Sequence, residues 1–278
     1  MFITSERKRI PILMYHSISD ESGPKFRSFA VPAALFARQM EYLHQQAYTP
    51  MTVSQLVHAW TNGGSLPTKP VVLTFDDAFL DFYTTALPLL QRYSFTATLY
   101  VPTAYVNGTS RWMQRTGEGS RPIVSWEQLR DISKCGIECG AHSHTHPQLD
   151  LLSFAAAKEE ITQNKRLLEE HIGEEILSFA YPYGYHTAAT KQIVREAGFT
   201  SACAVKNALS TEETDHFALS RVLVDPTLDI DAFAALLAGH DKRITTAVFT
   251  RPLIPGWRLA RFCLAQVQKP QQRETVQR

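Results

Sequence analysis

Two short segments carry the groups that could do chemistry in this chain. They are Thr74-Phe75-Asp76-Asp77 and, about 65 residues later, His142-Ser143-His144-Thr145-His146-Pro147. They supply two adjacent carboxylates and two imidazoles four positions apart. Two imidazoles and one carboxylate suit a mononuclear metal centre with open positions, and a second carboxylate beside it suits proton transfer. The chemistry such a set performs is activation of water, hence hydrolysis.

The spacing narrows the roles. If the histidine segment is helical, His142 and His146 share a face and His144 points away; if it is extended, all three share a side. His142 and His146 converge either way. Val71-Val72-Leu73-Thr74-Phe75 reads as a buried strand running directly into the aspartates, and buried carboxylates are costly unless paired or metal-bound. A helix N-cap would explain one aspartate but not both. Adjacent residues leaving a strand face different ways, so one aspartate can ligate while the other stays free as a base.

These groups need a scaffold, and the hydrophobic pattern predicts one. Short apolar runs at Ile10–Tyr15, Val71–Phe75, Ala97–Val101, Ile137–Gly140, Leu177–Tyr181, Ser201–Val205 and Leu219–Val224 read as strands. Helical patterns lie between them: Pro32 to Gln46, a helix opened by the capping box Ser125-Trp126-Glu127-Gln128, Ser153 to His171 stopping near Gly173, Thr187–Ala197 before Gly198, and Leu228–Leu237. Alternation of strands and helices predicts a parallel sheet covered by helices. His16, Asp76, Asp77, His142 and Tyr181-Pro182-Tyr183-Gly184 all follow the C-terminal ends of different strands, which favours a barrel of about seven strands over an open sheet with one crevice. Residues Ala104 to Ser120 have no clear period and are expected to form a loop over the mouth of the site.

Composition bounds the rest. The chain has 278 residues, 44% of them hydrophobic, and a net charge of +1, enough for one large core and no pointer to nucleic acid. The charge is uneven: residues 241–278 carry eight Lys/Arg against two acidic residues, leaving about −5 on the first 240. The expected organisation is therefore a barrel over residues 1–240 and a basic C-terminal extension over 241–278, disordered from Gln268. No apolar run approaches a membrane span, and the N-terminal apolar stretch is too short for a signal-peptide core; the expected location is cytoplasmic. Cys135, Cys139, Cys203 and Cys263 form no disulfide framework and read as reduced thiols. The segment Trp257-Arg258-Leu259-Ala260-Arg261-Phe262-Cys263-Leu264 either packs as a helix on the barrel or lies at an anionic membrane surface, the inner face in a cytoplasmic protein.

Thr74-Phe75-Asp76-Asp77, His142 to Pro147 and Phe179-Ala180-Tyr181-Pro182-Tyr183-Gly184, in this order, resemble the motifs of the polysaccharide deacetylases, the NodB-homology domain of carbohydrate esterase family 4. Met14-Tyr15-His16-Ser17-Ile18 resembles the branch containing poly-N-acetylglucosamine deacetylases. The resemblance covers roughly residues 10–225. It implies a distorted (β/α) barrel of about seven parallel strands and a divalent metal, usually zinc, on Asp77, His142 and His146. It implies Asp76 as general base, a metal-bound water as nucleophile, and the Tyr183 backbone N–H as oxyanion donor. The implied reaction removes N-acetyl groups from an N-acetylhexosamine-containing glycan or glycan intermediate.

Two positions depart from the family pattern. Ala180 stands where many members have an arginine that tethers the catalytic aspartate, and the late strand Leu219-Ser220-Arg221-Val222-Leu223-Val224 lacks the Leu-x-x-His that supplies a general acid. His16 is the best candidate for a second catalytic group, ahead of His186 and His240. Arg221 is a candidate for orienting a carboxylate or contacting substrate. Trp112, Tyr181 and Pro182 are the other candidates for substrate contact. Three rivals stay open: a deformylase or deacylase of another amide on the same site, an unrelated barrel hydrolase using His142 and His144, and a carbohydrate-binding protein with a decayed site.

Overall fold

The computed structural model describes residues 8–242 and 244; of the extension expected at 241–278, all but three residues lie outside the described residues, including the basic segment from Trp257. All seven expected strands form. In chain order they are β1 (Ile12–Tyr15), β5 (Pro70–Phe75), β6 (Thr98–Val101), β7 (Glu138–Ala141), β8 (Ser178–Ala180), β9 (Ser201–Cys203) and β10 (Val222–Leu223). Three more strands are short: β2 (Ser17–Ile18) and β3 (Ala30–Val31) pair with each other, and β4 (Thr49–Met51) adds to β5.

The order around the main sheet is β10-β1-β5-β6-β7-β8-β9, with every pairing parallel. The segment leading into β10 hydrogen-bonds back to β9: the Leu219 N–H donates to Ala202 O at 2.9 Å and the Ala204 N–H donates to Leu219 O at 2.8 Å. The two ends of the sheet therefore meet, and the sheet curls into a distorted barrel with helices outside it. Successive side chains alternate in and out, so Thr74 and Asp76 of the β5 line share the inner face.

The helices are α1 (Ala33–Gln45), α2 (Val53–Thr61), α3 (Leu87–Arg92), α4 (Trp126–Lys134), α5 (Phe154–Ile172), α6 (Ala188–Glu196) and α7 (Ile230–Leu237). The Ser125/Gln128 capping box opens α4, and Gly173 closes α5 in a left-handed conformation. Sequence periodicity missed α2. Its apolar face (Val53, Leu56, Val57, Trp60) packs with Ile10, Ile12, Val72, Tyr100, Ala180, Cys203 and Leu219, so α2 stoppers the end of the barrel opposite Asp76, Asp77 and His142. Burying four such side chains stabilises by about 1.5–3 kcal/mol each. Thr52 and Gln55 form a capping box at its start, a signal present in the sequence as Thr-x-x-Gln.

Candidate active site

The reactive groups gather where strands end. Asp76 and Asp77 leave β5, His142 leaves β7, His16 leaves β1 and Tyr183 follows β8. They line a cavity of about 440 Å³ whose other walls include Met14, Phe26, Phe29, Trp112, Val205 and Leu223. The loop expected over the mouth supplies Trp112, Met113 and Thr116 to it.

The histidine segment is neither helix nor strand. Ser143 and His146 both take left-handed backbone conformations (φ 62° and 59°), and the resulting turn brings the His142 and His146 rings to 4.9 Å. His144 is directed elsewhere: its Nδ1 lies 2.9 Å from Thr103 Oγ1. The turn is pinned from α5. Buried Asn164 accepts from the His142 N–H through Oδ1 (3.1 Å) and donates through Nδ2 to Ser143 O (2.6 Å) and Val101 O (3.0 Å), while Glu160 accepts from the Thr145 N–H (2.7 Å). Asp77, Ala78 and Tyr183 are also left-handed (φ 73°, 52° and 60°). Five of the nine non-glycine residues with positive φ among those described thus sit in or beside the site. Strain of this kind persists only where surrounding contacts over-determine the backbone.

Asp77, His142 and His146 offer one donor atom each within 4.8 Å of one another. Asp77 Oδ1 lies 3.1 Å from His146 Nε2 and 3.6 Å from His142 Nε2, yet it is buried with no hydrogen-bond partner. His142 Nδ1 contacts Ala180 O at 2.8 Å, which makes Nδ1 the protonated nitrogen and leaves the Nε2 lone pair free toward Asp77. Burial lowers the His142 pKa to about 4, so the ring is neutral at neutral pH. An orphaned buried carboxylate oxygen facing two imidazole nitrogens fits a divalent cation.

Asp76 stands beside this group, its Oδ2 at 4.0 Å from His142 Nε2. Burial alone would raise its carboxyl pKa; the Arg221 guanidinium first, then His142 and His16, outweigh this and hold it well below the usual carboxylate range. Arg221 Nη1 and Nη2 donate to Asp76 Oδ1 and Oδ2 at 2.6 and 2.7 Å. The aspartate left without its family partner by Ala180 is therefore tethered by an arginine from the last strand segment.

This placement corrects one expectation: Arg221 is fully buried and absent from the cavity wall, so it orients a carboxylate and does not contact substrate. Tyr181 and Pro182 are likewise buried and off the cavity wall; the Tyr181 hydroxyl donates to Phe217 O at 3.1 Å. Tyr183 is half-exposed on the wall, its ring 4.9 Å from His146. Its turn depends on Gly184, at φ 74°, where a Cβ would lie 2.7 Å from Val205. Trp112 packs 5.2 Å from the His146 ring. His16 lines the cavity, its Nδ1 is buried without a partner, and burial lowers its pKa. His186 stacks on Tyr181 at 5.0 Å and is not on the wall.

Sequence reading missed a second polar centre at the rim. Arg121 lies 3.2 Å from Asp81 and 3.3 Å from Glu118, and packs over Phe26 and Phe79 at 4.8 and 5.3 Å. Ser17 donates to Asp81 at 2.6 Å, and Glu118 accepts from the Gly23 N–H at 2.6 Å. These contacts join the loop carrying Phe26 to the loop carrying Trp112. Nothing in the local pattern of either loop signals the pairing, because the partners are up to 104 residues apart.

Comparison with known proteins agrees with this geometry. The family model described as polysaccharide deacetylase matches residues 63–202. YxkH of Bacillus subtilis (strain 168), a protein named for the same family, is 27% identical over 234 residues, 84% of this chain and 78% of that protein. The poly-beta-1,6-N-acetyl-D-glucosamine N-deacetylase of Escherichia coli (strain K12) is 27% identical over 135 residues, 47% of this chain and 20% of that protein. IcaB from Ammonifex degensii superposes with a TM-score of 0.71 at 25% identity, covering 84% of this chain and 97% of that one. The Streptococcus pyogenes deacetylase PplD in complex with acetate has the same fold, with a TM-score of 0.73 at 24% identity over 83% and 99% of the two chains. A family match over half of the chain, on a barrel that brings Asp76, Asp77, His142 and His146 to one cavity, places this protein in the polysaccharide deacetylase family.

Proposed function

We propose that this protein is a metal-dependent amidohydrolase that removes N-acetyl groups from an N-acetylhexosamine-containing glycan or glycan intermediate. The observation that carries the proposal is the convergence of Asp77, His142 and His146 on one point with the ionised Asp76 beside them. The poly-N-acetylglucosamine deacetylases among its relatives support the sugar class.

A divalent metal held by Asp77, His142 and His146, most simply Zn2+, would lower the pKa of water and polarise the acyl carbonyl. Asp76, ionised and fixed by Arg221, takes a proton from the attacking water. The Tyr183 backbone N–H stabilises the negative charge that develops on the carbonyl oxygen. The leaving nitrogen needs a proton to depart as an amine. His16, neutral at rest, takes up the proton held by Asp76 and delivers it to that nitrogen. Trp112 and the aromatic wall at Phe26 and Phe29 stack on the sugar. We place the reaction in the cytoplasm, at the inner membrane face if the basic tail docks there.

The test is acetate release from chitooligosaccharides and poly-N-acetylglucosamine fragments, measured with metal content. About one metal per chain, lost in His142→Ala, with release abolished in His142→Ala and Asp76→Asn, is the expected result. Metal without release would redirect the search to formyl or other amides; no metal under replete conditions would overturn the proposal.

A further inference from the structure

Behind Asp76 the barrel interior holds a polar stack that the cavity does not touch. Arg221 donates from all three nitrogens: Nη1 donates to Asp76 Oδ1 and to Thr74 Oγ1 (3.2 Å), Nη2 donates to Asp76 Oδ2, and Nε donates to Ala204 O (3.3 Å). Its guanidinium carbon lies 5.4 Å from the centroid of the Tyr100 ring. That ring is itself held. The Tyr100 hydroxyl accepts from Ser178 at 3.0 Å and meets Cys203 Sγ at 3.3 Å. Against its edge is Gly140, where a Cβ would lie 2.5 Å from the ring. Tyr100 is fully buried and absent from the cavity wall; its ring lies 6.3 Å from the His142 ring and 5.4 Å from the Arg221 guanidinium, and the closer, charged contact leads to Asp76.

We propose that Tyr100 is a positioning residue that seats Arg221 against Asp76, and that Gly140 is small so that the Tyr100 ring can occupy that seat. The proposal rests on the reading of Asp76 as general base. Arginine has a long flexible stem, and its attraction to an aromatic face strengthens when both are out of water. With the ring as a backing plate, the guanidinium has one orientation in which both Asp76 oxygens are engaged. Without it the fork can tilt and carry Asp76 with it. Displacement of a catalytic group by about 1 Å costs on the order of 100-fold in rate.

The test is a double-mutant cycle on Tyr100→Leu and Arg221→Met, read as kcat, KM and bound metal, with acetate release from the same oligosaccharides. Tyr100→Leu should lower kcat by about 10- to 100-fold, with KM and metal content unchanged. It should cost nothing further in the Arg221→Met background, because its effect runs through that residue. Tyr100→Phe, which keeps the ring, should recover kcat to within about threefold. Should Tyr100→Leu fail to fold, Gly140→Ala crowds the same ring and should also lower kcat selectively. Equal losses for Tyr100→Leu with and without Arg221, or a loss confined to KM or metal, would overturn the proposal. An activity-free arm separates it from the assignment of function: the Arg221 Nε–H resonance should exchange slowly in wild type and in Tyr100→Phe, and rapidly in Tyr100→Leu. Slow exchange in all three would overturn the proposal even if wild type released no acetate from any substrate.

Discussion

Two arginines hold two parts of this molecule, and they do so differently. Arg221 sits inside the barrel, with no exposed side-chain surface, and forks onto a single carboxylate against one aromatic plate. Arg121 sits at the rim, 14% exposed, and divides itself between Asp81 and Glu118 over two phenyl rings. The first is fixed by strands whose register leaves no slack; the second ties loops together. An arginine bound to one partner by both arms specifies an angle, whereas one shared between two loops specifies a distance. The barrel interior should therefore govern the chemical step, and the rim should govern the shape of the cavity between Phe26 and Trp112.

The sharpest way to break this contrast is at the carboxylate itself. Asp76→Asn should reduce turnover by about 10²–10⁴-fold while metal is retained, as measured by acetate release and metal analysis; retained turnover would remove Asp76 as the base. Arg221→Met leaves an uncompensated buried carboxylate, so stability should fall by about 3–5 kcal/mol in denaturant titration, with kcat falling and KM unaffected. Arg121→Gln should act the other way, raising KM severalfold with little change in kcat and costing about 1.5–3 kcal/mol. A kcat loss as large as that of Arg221→Met would erase the distinction between centre and rim.

Asn164→Ala tests the clamp on the histidine turn. It removes the acceptor for the His142 N–H and the donor to Ser143 O, and metal affinity should fall by about 10- to 100-fold in competition with a chelator. A further test concerns pH. After chelation, His142 is held near pKa 4 by burial, against about 6.5 in the unfolded chain. Between those values the unfolded chain takes up a proton that the folded chain refuses. Stability should thus fall by about 1.4 kcal/mol per unit as pH drops through that window, and below it the loss passes to Asp76, whose carboxyl is held under the usual range. Stability independent of pH there would show that His142 is not buried neutral.

Much of the arrangement is legible in the sequence. The seven strands were legible because each is a short apolar run, and the C-terminal placement of His16, Asp76 and His142 followed from those runs. The convergence of His142 and His146 was legible from their spacing, although the local conformation was not: a turn with two left-handed residues has no periodicity to detect. Helix α2 escaped notice although Thr52 and Gln55 announce its start, because its apolar face is short and partners residues from five different strands. Tyr181 and Pro182 adjoin Tyr183 in the chain, but one reversal of the backbone at Tyr183 puts neighbours on different sides of the wall.

By itself the sequence determined the chemical inventory: the ligand types, the spare carboxylate, and the strand ends that carry them. Those depend on residue identity and short-range periodicity, which are local properties. Only the tertiary structure decided which arginine serves Asp76, which aromatic ring backs that arginine, and which loops are tied at the rim. Arg221 and Asp76 are 145 positions apart, and their pairing is set by the curl that brings β9 and β10 around to β1 and β5. Ala180 stands where the family pattern has the arginine for Asp76, and only closure of the ring shows which arginine takes that role.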